Sequence, residues 1–156
     1  MFRLLKNISD LNQLKIIAEK LSHKAKLGDL FLLQGELGAG KTTFARFFIQ
    51  SIFEKYLLEK PNSIKSPSFP IMINYSLDNF EILHYDLYRL NNVKELVELN
   101  IFENINGNVI IIEWPEIFIK NSQLENYFLI KLKINSSDKR EIEINHTRIK
   151  NFENEI

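Results

Sequence analysis

The chain has 156 residues, no cysteine, and twenty basic residues matched by twenty acidic ones. A chain of this length can bury a sizeable core without disulfide or metal staples, so one domain spanning 1–156 is expected. Zero net charge excludes a global positive field that would draw it onto nucleic acid or an anionic membrane. The lack of thiols excludes disulfide scaffolds, thiolate metal sites and cysteine nucleophiles.

The opening "MFRLLKNISDLNQLK" is broken by charged and amide residues before an apolar signal core develops, and no apolar run is long enough to span a bilayer. A cytoplasmic protein is expected, and the Asn-x-Ser/Thr triplets at Asn7, Asn135 and Asn145 are read as chance. After "FRLLK", Ser9 is the expected N-cap of a helix carrying Leu14, Ile17, Ala18, Leu21 and Ala25 at helical spacing, ended by Gly28. "DLFLLQ" is continuously apolar, as a parallel strand covered on both faces is. A helix follows from Lys41 to about Leu58, its apolar face set by Phe44, Phe48, Ile52 and Tyr56. "KPNSIKSPSFP" is expected to be an exposed loop. "IMINY" and "FEILHYDLY" form an antiparallel hairpin around "SLDN", "VKELVELNIF" a short helix, and "NVIIIEW" a second buried strand. "NYFLIKLKI" and "REIEIN" alternate as a half-exposed hairpin around "NSSDK". His23 and His146 are expected in solvent. The fold class is α/β of the phosphate-loop NTPase kind: a central, mostly parallel sheet flanked by helices, with antiparallel hairpins added.

Residues 35–42, "GELGAGKT", match G-x-x-x-x-G-K-[ST] between a strand and a helix. Gly35, Gly38 and Gly40 allow backbone angles and close approach that side chains would forbid, so successive amides can converge on phosphate oxygens. Lys41 adds a charge for the β- and γ-phosphates, and the Thr42 hydroxyl can ligate magnesium. Hydrolysis also needs an acid near the metal and a group that orients water. Glu113 ends "VIIIE", where a core strand emerges beside the loop; it is either such an acid or a strand cap. Asp86 in "HYDLYR" is either a second acid or the partner of Arg89 in a surface ion pair. His84 has no second histidine at ligand spacing and reads as a hydrogen-bonded structural residue. Trp114 either packs in the core or faces a base or partner.

Four segments, "GELGAGKTTF", "SPSF", "HYDLYRL" and "IEWPE", stand in the order and spacing of one family. Together they resemble TsaE, formerly YjeE, the bacterial ATPases of tRNA threonylcarbamoyladenosine biosynthesis. The resemblance covers nearly the whole chain, with Glu36 where the family usually has Asp, Ser68 for Thr, and Tyr85 for Phe. It implies ATP and Mg²⁺ as cofactors, held by Gly35, Glu36, Leu37, Gly38, Ala39, Gly40, Lys41, Thr42 and Thr43. It also implies Lys41 and Glu113 as catalytic residues, Thr42, Asp86 and Glu113 as metal ligands, and Ser66, Pro67, Ser68 and Phe69 as a switch or partner loop with Trp114 nearby. The implied partners are TsaD and TsaB, with tRNA reached only indirectly through the complex and no membrane involved. From the residues alone, a small-molecule phosphotransferase and a weakly hydrolysing nucleotide-binding module remain alternatives.

Overall fold

The computed structural model describes residues 2–135 and 139–146. The tip of the turn expected at "NSSDK", 136–138, lies outside the described residues, as do Met1 and 147–156. The strands are β1 (Phe2–Ile8), β2 (Leu30–Gln34), β3 (Met72–Ser76), β4 (Glu81–Asp86), β5 (Val109–Glu113), β6 (Tyr127–Ile134) and β7 (Arg140–His146). They form one sheet in the order β1-β7-β6-β2-β5-β4-β3. The central four, β6, β2, β5 and β4, run parallel, while β3 on one side and β7 and β1 on the other pair antiparallel. The expected mixed, centrally parallel architecture is therefore the observed one.

Helices α1 (Leu11–Lys24) and α2 (Lys41–Lys55) cover one face of the sheet. Leu14, Ile17, Ala18 and Leu21 of α1 and Phe44, Phe48, Ile49 and Ile52 of α2 meet Phe31, Leu33, Ile111 and Phe128 there. The other face carries the shorter α3 (Val93–Glu98), α4 (Ile101–Ile105) and α5 (Glu116–Lys120), with Leu96, Ile101 and Phe118 packed on Leu32, Tyr85, Ile110 and Ile112. Cover on both faces explains why every residue of β5, Glu113 included, is buried.

Local chemistry moves several boundaries. The N-cap of α1 is Asp10, one residue beyond Ser9: its carboxylate accepts from the Gln13 amide at 2.9 Å, and the Gln13 side chain accepts from the Ser9 amide. The helix closes at Lys24, and Gly28 serves the following turn at φ 89°. Helix α2 ends at Lys55, leaving Tyr56 exposed against Phe80. "VKELVELNIF" is two helices, because Asn100 adopts left-handed φ 48° and breaks the ladder. "FRLLKNI", which the pattern assigned to no element, is an edge strand with Leu4 and Ile8 inward. "NYFLIKLKI" and "REIEIN" do pair as the expected antiparallel hairpin, but β1 covers β7, so "REIEIN" is an interior strand more buried than the expected half-exposed one. His146 is accordingly buried and stacked on Phe128, not solvated, while His23 is exposed. Among the described residues no helix is long and apolar enough to cross a membrane.

The β1-β7-β6 extension is tied by Glu143, which takes Arg3 of β1 at 2.9 Å, Asn145 at 2.8 Å and Lys131 of β6 at 3.6 Å. The Asn145 amide first, and then Arg3 and Lys131, hold its carboxyl down at about 2 against the ordinary 4.5, despite the opposing effect of burial. A depressed carboxyl stabilises the fold above the unfolded value and loses that contribution as pH falls toward the folded value. Glu143→Gln should therefore lower stability at neutral pH by about 1–2 kcal/mol, less than full linkage because Arg3 is largely exposed. Urea unfolding should show the gap to the unsubstituted chain narrowing from pH 4.5 toward pH 2. A gap that does not change with pH would reject this role.

Candidate functional site

The three central strands β2, β5 and β4 end level with one another. Leu33 pairs with Glu113 and Glu113 with Asp86, so the two acids emerge side by side next to the glycine loop that leaves β2. Gly35 starts that loop at φ 153°, with its Cα against β6: a Cβ there would lie 2.3 Å from the Leu132 carbonyl oxygen. Gly40 closes the loop at φ 109° as the N-cap of α2, with no side-chain cap. The first amides of this fifteen-residue helix thus have no side-chain acceptor at its cap, and they sit at the positive end of its dipole.

Lys41 is buried below the loop, donating to the Gly35 carbonyl at 2.7 Å and the Glu36 carbonyl at 2.8 Å. Its ammonium also lies 3.7 Å from the centroid of the Trp114 ring, a cation–π contact. Burial pushes the Lys41 pKa down, and the carboxylates of Glu113, Asp86, Glu116 and Glu36 act against that shift. Trp114 reaches the lysine because the chain turns sharply after Glu113. Its φ is 55°, a conformation that costs a bulky residue roughly 1–3 kcal/mol, and its amide bonds the Leu33 carbonyl at 3.2 Å. Tyr88 packs against the same ring at a tilt of 48°, with centroids 4.8 Å apart.

Each acid is held from two sides. Glu113 Oε2 accepts from the Thr42 hydroxyl at 2.9 Å, and its Oε1 lies 2.9 Å from His84 Nε2. Asp86 accepts from the Ser66 hydroxyl and, at 3.0 Å, from the Tyr88 amide. Arg89 turns to the Phe69 ring, 5.5 Å away, instead of pairing with Asp86. The Pro- and Ser-containing loop is less exposed than expected: Pro67 is buried and Ser66 half-buried, because the Ser66 contact draws them onto β4, while Phe69 stands out in solvent.

A cavity of about 360 Å³ is bounded by Leu37, Gly38, Gly40, Lys41, Thr42, Thr43, Ser66, Ser68, Asp86, Tyr88, Glu113 and Trp114. Of the site residues expected from sequence, Leu37, Gly38, Gly40, Lys41, Thr42, Thr43, Ser66, Ser68, Asp86, Glu113 and Trp114 border this space, whereas Gly35, Glu36, Ala39, Pro67 and Phe69 do not. A second cavity, about 300 Å³, lies across Gly38, Gly40 and Thr43 against Ile8, Asp10, Leu11, Leu14, Lys139 and Arg140. Sequence reasoning missed Tyr88, although it stands two residues after Asp86 in a quoted segment, and missed this second space, whose walls come from both ends of the chain.

The donor set suits a hard divalent cation that keeps coordination positions for phosphate or water. The Thr42 hydroxyl and the Asp86 and Glu113 carboxylates border the same cavity, and among the described residues no group of three or more His, Cys, Asp or Glu forms a closed cage.

The family model described as threonylcarbamoyl adenosine biosynthesis protein TsaE matches residues 8–142. The chain belongs to the TsaE family. Among its relatives, the tRNA threonylcarbamoyladenosine biosynthesis protein TsaE of Rickettsia conorii is 47% identical over 103 residues, 66% of this chain and 56% of that protein. The match thus spans little more than half of that relative's length. The Rickettsia typhi TsaE is 40% identical over 126 residues, 81% of this chain and 83% of that one. The Bacillus subtilis TsaE is 33% identical over 129 residues, covering 82% and 76%. The crystal structure of YdiB from Bacillus subtilis superposes with a TM-score of 0.67 at 25% identity, over 94% of this chain and 87% of that one, in keeping with a phosphate-loop fold for this TsaE member.

The contact of Gly35 with β6 separates the loop's glycines. Gly35→Ala should cost at least about 2 kcal/mol, since a Cβ meets backbone that cannot swing away. Gly38→Ala, where nothing lies within 4 Å of the new Cβ, should cost only about 1 kcal/mol of left-handed strain. Parallel urea unfolding curves compare the two, and equal losses would remove β6 as the cause.

Proposed function

We propose that this protein binds and hydrolyses ATP with Mg²⁺ and serves tRNA threonylcarbamoyladenosine biosynthesis in the cytoplasm together with TsaD and TsaB. The observation that carries this reading is the convergence of Lys41, Thr42, Asp86 and Glu113 on one cavity at the start of α2. In this reading the amides of Leu37 to Thr43 and the Lys41 ammonium take the phosphates, and the second cavity across the loop offers room for the nucleoside. Magnesium, when bound, would neutralise phosphate charge at Thr42 and the two acids.

Glu113 is the residue we assign to the attacking water. Its carboxylate can accept a water proton as the water oxygen bonds to the γ-phosphorus and the bond to the bridging oxygen of ADP breaks, releasing inorganic phosphate. Because the carboxylate is held by Thr42 and His84 before any water arrives, little reorganisation remains for the reaction. Lys41 holds the γ-phosphate against it.

The site's mouth supports dependence on partners. Leu37 and Tyr88, which border the cavity, are 81% and 60% exposed, and Phe69, next to Ser68 of its wall, is 84% exposed. A partner that covered these apolar side chains would also exclude water from the phosphates. The chain alone is therefore expected to be slow. Adding TsaD and TsaB should raise phosphate release, and ATP should change the affinity for them, because linkage in binding is reciprocal. Full-rate turnover indifferent to the partners, or transfer of phosphate to a small metabolite, would overturn the reading in favour of a kinase.

Two substitutions divide binding from chemistry. Lys41→Ala should weaken ATP binding roughly 10- to 100-fold by calorimetry, the scale of hydrogen bonds to a charged group. Glu113→Gln should bind ATP within a factor of about 3 yet hydrolyse it about 100-fold more slowly. Equal loss of binding and turnover in Glu113→Gln would make Glu113 structural.

A further inference from the structure

His84 is fully buried, in the middle of a sheet face lined otherwise by Phe31, Leu33, Ile82 and Ile111. Its place is fixed by register: β4 sets His84 opposite Ile111 and Asp86 opposite Glu113, so His84, Asp86 and Glu113 share one face. Nε2 lies 2.9 Å from Glu113 Oε1, while Nδ1 finds no hydrogen-bond partner among the described residues. A carboxylate only accepts, so Nε2 carries the ring proton and donates. The fold thus buries an imidazole on an otherwise apolar face where a leucine would pack, and among the described residues the imidazole's one polar contact is with Glu113.

We propose that His84 is a positioning residue for Glu113, holding Oε1 so that the carboxylate keeps one rotamer toward the phosphate-loop cavity. This rests on the role of Glu113 proposed above. The two oxygens have different holders: Oε2 is taken by Thr42 at the start of α2, and Oε1 by His84 from the neighbouring strand. The residue just past β4 also secures the Glu113 backbone, since the Leu87 amide donates to its carbonyl at 3.0 Å. With Oε1 released, the Thr42 contact alone leaves rotation about the side chain's last bonds open, and the fraction of molecules with the carboxylate aimed at water falls. His84 borders neither of the two cavities described above, so its effect passes through Glu113.

The test compares His84→Leu, His84→Gln and His84→Asn in the full chain, by single-turnover phosphate release with TsaD and TsaB present, ATP affinity by calorimetry, and thermal melting. A glutamine amide can place its nitrogen near the position of Nε2; an asparagine amide stops short, near Nδ1. His84→Leu should slow phosphate release roughly 10- to 100-fold, the usual cost of losing an outer-shell partner, with ATP affinity and melting temperature retained. Gln should recover most of the rate and Asn should not. Full rate in His84→Leu, equal rates in Leu and Gln, or losses that follow the melting temperature would overturn the proposal. Glu113→Gln, run alongside, separates the two ideas. Full rate there removes the role of Glu113 itself, whereas a slow Glu113→Gln beside a fast His84→Leu removes only the positioning by His84.

Discussion

The level ends of β2, β5 and β4 are the constraint on which the site depends. Parallel pairing sets Leu33, Glu113 and Asp86 abreast, so the loop leaving β2 finds both acids at a fixed offset. Slipping β5 by one residue would turn Glu113 to the opposite face and put an isoleucine in its place. The register is protected by burial from both sides, since Ile110 and Ile112 are committed to one core and Ile111 to the other. The hydrophobic packing of two helical layers therefore does electrostatic work at the strand ends.

At those ends a cation and two carboxylates are gathered where little solvent reaches. Burial of Lys41 opposes its charge, and the surrounding acids oppose that effect in turn. In the proposed reading, those acids offset the burial of a group that has to exchange water for phosphate oxygens. The backbone contributes as well: the Gly35 and Glu36 carbonyls orient the ammonium, and the left-handed turn at Trp114 lays an aromatic face against it.

Much of this was legible in the sequence because it is local. The glycine loop, the continuous apolar strands and the helix from Lys41 follow from spacing within a few residues, and the order of four short segments was enough to point to the family that the comparisons show. What was not legible depends on distant chain. "REIEIN" alternates as a half-exposed strand does, yet most of it is buried because "FRLLKNI", more than a hundred residues earlier, covers its edge. His146 was misjudged for the same reason. The cap at Asp10 instead of Ser9 was decided by a hydrogen bond that its polar neighbour could have made equally well, and the break at Asn100 by a left-handed backbone turn. Nothing in "HYDLYR" says that the histidine would find Glu113, since that meeting is a property of strand order.

Trp114 is the chain's single tryptophan. Its indole lies between the Lys41 ammonium, 3.7 Å from the ring centroid, and the Tyr88 ring. Indole emission responds to nearby charge and to neighbouring aromatic rings, so the fluorescence excited at wavelengths too long for the five tyrosines arises from one chromophore in contact with the phosphate-loop lysine. The fold has an internal optical probe at the point where its strand, its loop and its cation meet, and the indole emission of the unlabelled chain reports on that point alone.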